Sequence, residues 1–154
     1  MLTEEEKHEI EEEFKLYPYK SAAAIEALKV VQKHRRWVSD ESIKDIAQLL
    51  GITPDELDSV ATFYNLIYRK PVGRNVIHIC NSVSCWVMGY ESVLKHLIDH
   101  LGITYGQTSS DGRFTLLPVQ CLGTCDHAPA LMINGDLYRD LTPDIINSIL
   151  EKYQ

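Results

Sequence analysis

Four cysteines are the only thiols in this chain, and they form two local pairs. Four residues separate Cys80 from Cys85, and three separate Cys121 from Cys125. Four soft thiolates brought together from two loops suit an iron–sulfur cluster or a zinc ion, because both are bound by sulfur ligands in tetrahedral geometry. The sequence therefore indicates a candidate metal centre on Cys80, Cys85, Cys121 and Cys125.

Other uses of the cysteines are disfavoured by context and spacing. The acidic start, Met1 to Lys7, lacks the pattern of a signal peptide, so we expect a cytoplasmic protein whose thiols stay reduced rather than forming disulfides. A thioredoxin-type exchange centre uses Cys-x-x-Cys, which neither pair provides. A structural zinc site tolerates both spacings, so zinc remains open on spacing alone.

The composition of the cysteine loops favours a [2Fe–2S] cluster. The segment Cys121-Leu122-Gly123-Thr124-Cys125 is small and contains glycine, so backbone amides can approach the sulfurs. Residues 81–84 form a short polar segment between the other two cysteines. No histidine replaces a cysteine in either pair, and His127, the nearest in sequence, is expected to be a solvated loop side chain.

Charge and hydropathy exclude two classes of partner. The net charge of −7 argues against a nucleic-acid partner, which usually requires a basic surface. The one basic run, Lys33 to Arg36, is expected at the end of a helix, where cations complement the helix dipole. No apolar run approaches the roughly 18 residues needed to span a bilayer, so direct membrane insertion is not expected.

The first half of the sequence, to about residue 68, predicts four consecutive helices. Each begins at a residue type that caps helix N-termini. The predicted caps are Thr3 with Glu6, Ser21, Ser39 or Asp40, and the segment Thr53-Pro54-Asp55-Glu56. The apolar stripes of these helices are typical of a core, so we assign them no chemistry.

The second half alternates predicted strands and helices. The predicted elements are strands at 75–80 and 114–117, helices at 90–101 and after Thr142, and a hairpin that turns at Asn134-Gly135. This order predicts a small α/β layer with a mixed sheet. Each cysteine pair follows the end of a strand, where α/β sheets place their sites, so we expect the two loops to converge at one sheet edge.

The chain resembles a known family of iron–sulfur subunits. The segment Asp111-Gly112-Arg113-Phe114-Thr115 is followed, after five residues, by Cys121 and the stretch that ends at Pro129. These motifs, with the Cys80-x4-Cys85 pair, resemble the E subunit family of NADH:quinone oxidoreductase, which belongs to the flavoprotein module of respiratory complex I. The resemblance extends through residues 25–28, 37–38, 60–64 and 71–74, and no ligand position departs from it.

The resemblance implies a fold and a cofactor. It implies an α+β or α/β chain in which a helical bundle, residues 1–72, precedes a thioredoxin-like [2Fe–2S] ferredoxin domain, residues 73–154. Carried over residue by residue, the ligands of one [2Fe–2S] cluster are Cys80, Cys85, Cys121 and Cys125.

The resemblance also implies an electron-transfer subunit without catalytic residues of its own. NADH and FMN are expected on a tightly associated partner subunit, and the complex is expected to attach the chain to the cytoplasmic side of a bacterial inner membrane. The loop from Cys121 to Pro129 is the expected partner contact, and a bulky charge placed at Thr124 or Ala128 is expected to weaken association or slow electron transfer while iron content stays intact. Two alternatives stay open: the homologous subunit of an NAD-linked hydrogenase or formate dehydrogenase, and a structural zinc module for protein interaction.

Overall fold

The computed structural model describes residues 1–153, and the chain divides into two units at the Pro71–Val72 bond. The first unit is entirely helical, and the second combines a sheet with helices. Within the described residues, no helix has both the length and the apolar character that a membrane crossing requires.

The first unit is a bundle of four α-helices around one apolar core. The helices are α1 (Glu4–Phe14), α2 (Ala24–Arg35), α3 (Asp40–Leu50) and α4 (Pro54–Phe63). Each contributes a side chain that is completely buried, namely Ile10, Leu28, Ile46 and Leu57. The helical half predicted from the sequence is therefore confirmed.

Three of the four predicted helix starts are confirmed. Thr3 and Thr53 each form a complete capping box, and Ser39 accepts a hydrogen bond from the backbone N–H of Ser42. The prediction for Ser21 was wrong, because Ser21 lies inside a 3₁₀ turn over Lys20–Ala23. This turn precedes α2, which begins three residues after Ser21 with no side-chain cap.

The basic run at the end of α2 joins that helix to α1. Arg35 donates from Nε and Nη2 to the two carboxylate oxygens of Glu6, both at 2.6 Å. The side chain of Glu6 is only 1% exposed, so this ion pair lies inside the bundle. Lys33 and His34 both contact Glu9 at the surface. The run therefore lies in the last turn of a helix, as predicted, and one of its cations is paired inward.

The second unit contains a four-stranded mixed sheet, which confirms the prediction. Its strands are β1 (Asn75–Cys80), β2 (Phe114–Val119), β3 (Leu131–Ile133) and β4 (Asp136–Tyr138), in the order β2-β1-β3-β4. β1 pairs with β2 in parallel, whereas β1 with β3 and β3 with β4 are antiparallel. Three helices accompany the sheet: α5 (Val83–Val87), α6 (Tyr90–Leu101) and α7 (Pro143–Leu150).

The parallel pair β1–β2 positions the cysteines. All six residues of β1 are buried, and Cys80, its last residue, pairs with Val119, the last residue of β2. Because parallel strands end at the same edge of a sheet, the loops that follow β1 and β2 leave from one side. The predicted convergence of the two cysteine loops is confirmed.

Candidate metal centre

The two loops bring all four cysteines to one edge of the sheet. Cys80 ends β1, and Cys85 lies in α5; both are buried. Cys121 follows β2, and Cys125 begins a 3₁₀ turn over Cys125–His127; both are exposed. The candidate centre therefore has a buried side, formed by the first pair, and a solvent-facing side, formed by the second.

The sulfurs are arranged as two contacting pairs. The Sγ atoms of Cys121 and Cys125 are 3.3 Å apart, and Cys80 and Cys85 belong to one packed cluster in which their thiols interact. Cys80 interacts electrostatically with both cysteines of the second pair. In the part of the chain that the structure describes, no three cysteine sulfurs lie within 4.8 Å of one another.

This pairwise arrangement fits two metal ions better than one. Zn–S bonds of about 2.3 Å in a tetrahedron would place all four sulfurs about 3.8 Å apart around a single zinc ion. A [2Fe–2S] cluster has two irons, each of which takes two of the four protein thiolates. The cysteines present fit the cluster, since each local pair can serve one iron.

Hydrogen bonds distinguish the two thiols of the buried pair. Burial opposes ionisation of Cys80, but hydrogen bonds from Ser82 and from the backbone N–H of Leu122 outweigh it and lower the pKa of this thiol. Burial, together with the hydrogen bond to Cys80, raises the pKa of Cys85 to about 11. The surroundings therefore shift the pKa values of the two thiols of this pair in opposite directions.

In the exposed pair, too, the pKa of one thiol is lowered and that of the other is raised. The backbone N–H of Gly123 donates to the sulfur of Cys121 at 3.3 Å and lowers the pKa of that thiol. Its hydrogen bond with Cys121 raises the pKa of Cys125. The predicted approach of backbone amides to the sulfurs is confirmed here, at a glycine with φ of +77°. Because thiolates are the metal ligands, any of these thiols that is still protonated loses its proton when metal binds.

His127 is bound to a neighbouring loop rather than to the cysteines. Its Nδ1 lies 2.9 Å from Oδ2 of Asp140, and its carbonyl accepts a hydrogen bond from the N–H of Asp140. The imidazole is exposed, as the sequence predicted. His127 therefore ties the loop of the second pair to the segment that precedes α7.

The loop of the second cysteine pair is partly buried. Thr124 and Ala128 are only 7% and 6% exposed, and the contact of this loop with a partner stays a prediction. They are buried because their loop folds back over the cysteines, where Ala128 packs with Cys80 and Cys85. The exposed apolar side chains belong instead to α5 and the residue after it: Val83, Trp86, Val87 and Met88.

Residues 10–154 match a protein-family model described as thioredoxin-like [2Fe-2S] ferredoxin. The chain belongs to this family. It is 51% identical over 153 residues to the E subunit of the NADH-quinone oxidoreductase of Pseudomonas aeruginosa, an alignment that covers 99% of this chain and 92% of the relative. The protein of the same name from Escherichia coli strain K12 is 49% identical, with the same two coverages.

A solved structure resembles most of the chain. The crystal structure of NAD+-reducing [NiFe]-hydrogenase in the H2-reduced state matches with a TM-score of 0.72 and 26% sequence identity. The match covers 86% of this chain but 22% of the hydrogenase chain, so this protein spans less than a quarter of that relative.

Family membership decides between cluster and zinc, which cysteine spacing alone left open. The predicted thioredoxin-like fold and [2Fe–2S] cofactor are confirmed. The family and its relatives also confirm the predicted function, since the chain is an electron-transfer iron–sulfur subunit of an oxidoreductase.

Proposed function

We propose that this chain is the E subunit of an NADH:quinone oxidoreductase and exchanges electrons with the flavin of an NADH-binding partner subunit. Cys80, Cys85, Cys121 and Cys125 hold its single [2Fe–2S] cluster, and each local pair holds one iron. The observation that supports the proposal best is the convergence of the four thiols, as two contacting pairs, in a chain half identical to named E subunits. When bound, the cluster supplies one-electron transfer.

The residues around the site have separate roles in holding the cluster, excluding water and offsetting the charge of the thiolates. Cys80 and Cys85 anchor the site from the interior and keep water away from one side of it. The N–H groups of Gly123 and Leu122 point at sulfurs and offset the negative charge that four thiolates bring together. Cys121 and Cys125 form the solvent-exposed side of the site.

The exposed apolar surface of α5 is the proposed contact with the flavin-bearing subunit. This α5 surface comprises Val83, Trp86, Val87 and Met88 and directly adjoins Cys85 in the chain. Aromatic and methionine side chains are enriched in protein interfaces, and a contiguous apolar patch is rarely left bare. Docking here would bring a flavin close to the cysteines and would attach the chain to its membrane-bound complex.

The assignment of NADH and FMN to the partner subunit, and of the cluster to this chain, is directly testable. Alone, the chain should neither bind NADH in calorimetry nor be reduced by it, because NADH and FMN are assigned to the partner. With the flavin-bearing partner added, NADH should produce the EPR signal of a reduced [2Fe–2S] cluster. Stoichiometric binding of NADH to the isolated chain would contradict the proposal, and so would the absence of any signal in the complex.

The structural likeness to an NAD+-reducing hydrogenase supports a second candidate, the equivalent subunit of a hydrogenase. Purification of the native complex separates the two. Quinone reduction by NADH in the purified complex would support the first assignment, and hydrogen-dependent reduction of NAD+ would support the second.

Substitution of Trp86 tests the docking surface. Trp86 is 58% exposed at the centre of the α5 surface, and interface tryptophans often contribute more than 2 kcal/mol, so Trp86→Glu should weaken association with the flavin-bearing subunit by about 30-fold or more. Iron content should not change. Ile145→Glu is the matched control, because Ile145 is an exposed apolar residue on α7. If Ile145→Glu weakens binding and Trp86→Glu does not, the docking surface lies elsewhere. Titration calorimetry measures both.

A further inference from the structure

Ser82 stands at a capping position but does not cap its helix. It directly precedes α5 with extended backbone angles, φ −75° and ψ 167°, as an N-cap residue does. A serine there normally accepts a hydrogen bond from the N–H of the second or third helical residue, here Ser84 or Cys85. Ser82 makes no such bond, whereas Thr3, Ser39 and Thr53 all cap their helices. Its hydroxyl is therefore used for something else.

The hydroxyl of Ser82 points at the cysteines. Its Oγ lies 3.4 Å from the sulfur of Cys80, and it also interacts with the thiol of Cys121. These two cysteines belong to different pairs and follow different strands. Ser84, the other serine beside the cysteines, hydrogen-bonds to Cys125. Ser82 thus connects the loop after β1 to the loop after β2 at the level of the sulfurs.

The chemistry of the ligands settles the direction of these hydrogen bonds. A cysteine that binds iron is a thiolate and carries no proton, so only the hydroxyl can donate. Its single proton points to the sulfur of Cys80, 3.4 Å from Oγ. One-electron reduction adds one negative charge to the cluster and its thiolates, and a donor held against them stabilises that charge. The proton stays on Ser82 Oγ in both oxidation states.

We propose that Ser82 is a positioning residue that raises the reduction potential of the cluster by donating its hydroxyl proton to Cys80. This role rests on the proposed function, since it requires the cluster on these cysteines. In this orientation, the side chain of Ser82 faces Cys80 and does not cap α5.

The test compares side chains of equal shape in the complete, cluster-loaded chain. Ser82→Thr keeps the hydroxyl, and Ser82→Val replaces it with a methyl group; Ser82→Ala removes it. The measurement is a potentiometric titration followed by EPR. Ser82→Ala and Ser82→Val should lower the ratio of reduced to oxidised cluster at fixed potential about tenfold, which corresponds to a reduction potential lower by 59 mV for a one-electron couple. The reduction potential of Ser82→Thr should remain near that of the wild type. Ser148→Ala is the control, because Ser148 donates only to a helix carbonyl in α7.

The possible outcomes separate this role from the proposed function. If the reduced wild-type protein gives no [2Fe–2S] signal, the proposed function fails. If the wild type gives the signal but Ser82→Thr has neither a higher reduction potential nor a higher iron content than Ser82→Val, only the role of Ser82 is overturned. Retention of iron by Ser82→Thr but not by Ser82→Val supports the proposed role of Ser82, because the two variant side chains differ only in the hydroxyl.

Discussion

Replacing any one of the four cysteines with alanine is expected to abolish stable binding of the [2Fe–2S] cluster. Each cysteine supplies one of the two thiolates of its pair, and the chain has no spare thiol to take its place. The nearest histidine, His127, is engaged by Asp140. Since losing an outer hydrogen-bond partner already costs about 10- to 100-fold in metal affinity, losing a ligand should cost more than about 100-fold.

Iron content and the visible absorption spectrum of the purified variants measure this effect. Ser148→Ala is a suitable control, because it truncates an exposed side chain on α7 and should keep full iron. A cysteine variant with full iron and an unchanged spectrum would remove that residue from the ligand set. Circular dichroism of the same samples separates loss of the cluster from loss of the fold, since α1 to α4 do not involve the cysteines.

Replacing Glu6 with alanine is expected to destabilise the helical unit by about 3 kcal/mol. Glu6 is buried and accepts two charge-assisted hydrogen bonds from Arg35, so its removal leaves the partly buried guanidinium without its carboxylate partner. Breaking a buried ion pair from one side costs about 3–5 kcal/mol, and the partial exposure of Arg35 favours the lower end. Amide hydrogen exchange in α1 and α2 of the complete protein measures the loss.

Glu12→Ala is the matched control on the same helix. Glu12 pairs with Lys15 at 2.5 Å, but both side chains are exposed, and exposed pairs contribute little to stability. Equal effects of Glu6→Ala and Glu12→Ala would show that the inward ion pair does not stabilise the bundle.

The Glu6–Arg35 pair should also make the stability of the bundle depend on pH. The hydrogen bond from Arg35 holds the pKa of Glu6 below its usual value. A carboxyl whose pKa is lower in the folded state stabilises the fold above its unfolded-state pKa, about 4.3, and loses this contribution as the pH falls through the folded-state pKa. The difference in exchange between wild type and Glu6→Gln should therefore be constant above about pH 5 and shrink below about pH 4.

The sequence by itself determined those features that arise from neighbouring residues. Capping boxes at Thr3 and Thr53 involve partners three residues apart, so they are visible in the sequence and correctly mark α1 and α4. The turn Asn134-Gly135 and the bounds of α6, Tyr90–Leu101, were predicted for the same reason. The candidate ligands could also be named, because the chain contains four cysteines and no others.

Short segments without strong local signals were not predicted. The five residues of α5 are too few to show helical periodicity, so the segment between Cys80 and Tyr90 gave no helix prediction. Ser21 has a typical capping residue type, but the local chain forms a 3₁₀ turn before α2 begins. In both cases the surrounding structure outweighs a weak local preference.

Only the tertiary structure decided which side chains face the cysteines and which face solvent. The burial of Thr124 and Ala128, the exposure of Trp86 and the pairing of Glu6 with Arg35 all depend on how segments distant in sequence pack together. Ser82 shows this most clearly. It directly precedes α5, but its side chain interacts with Cys121, 39 residues away, because the parallel pairing of β1 with β2 brings their following loops to the same edge of the sheet.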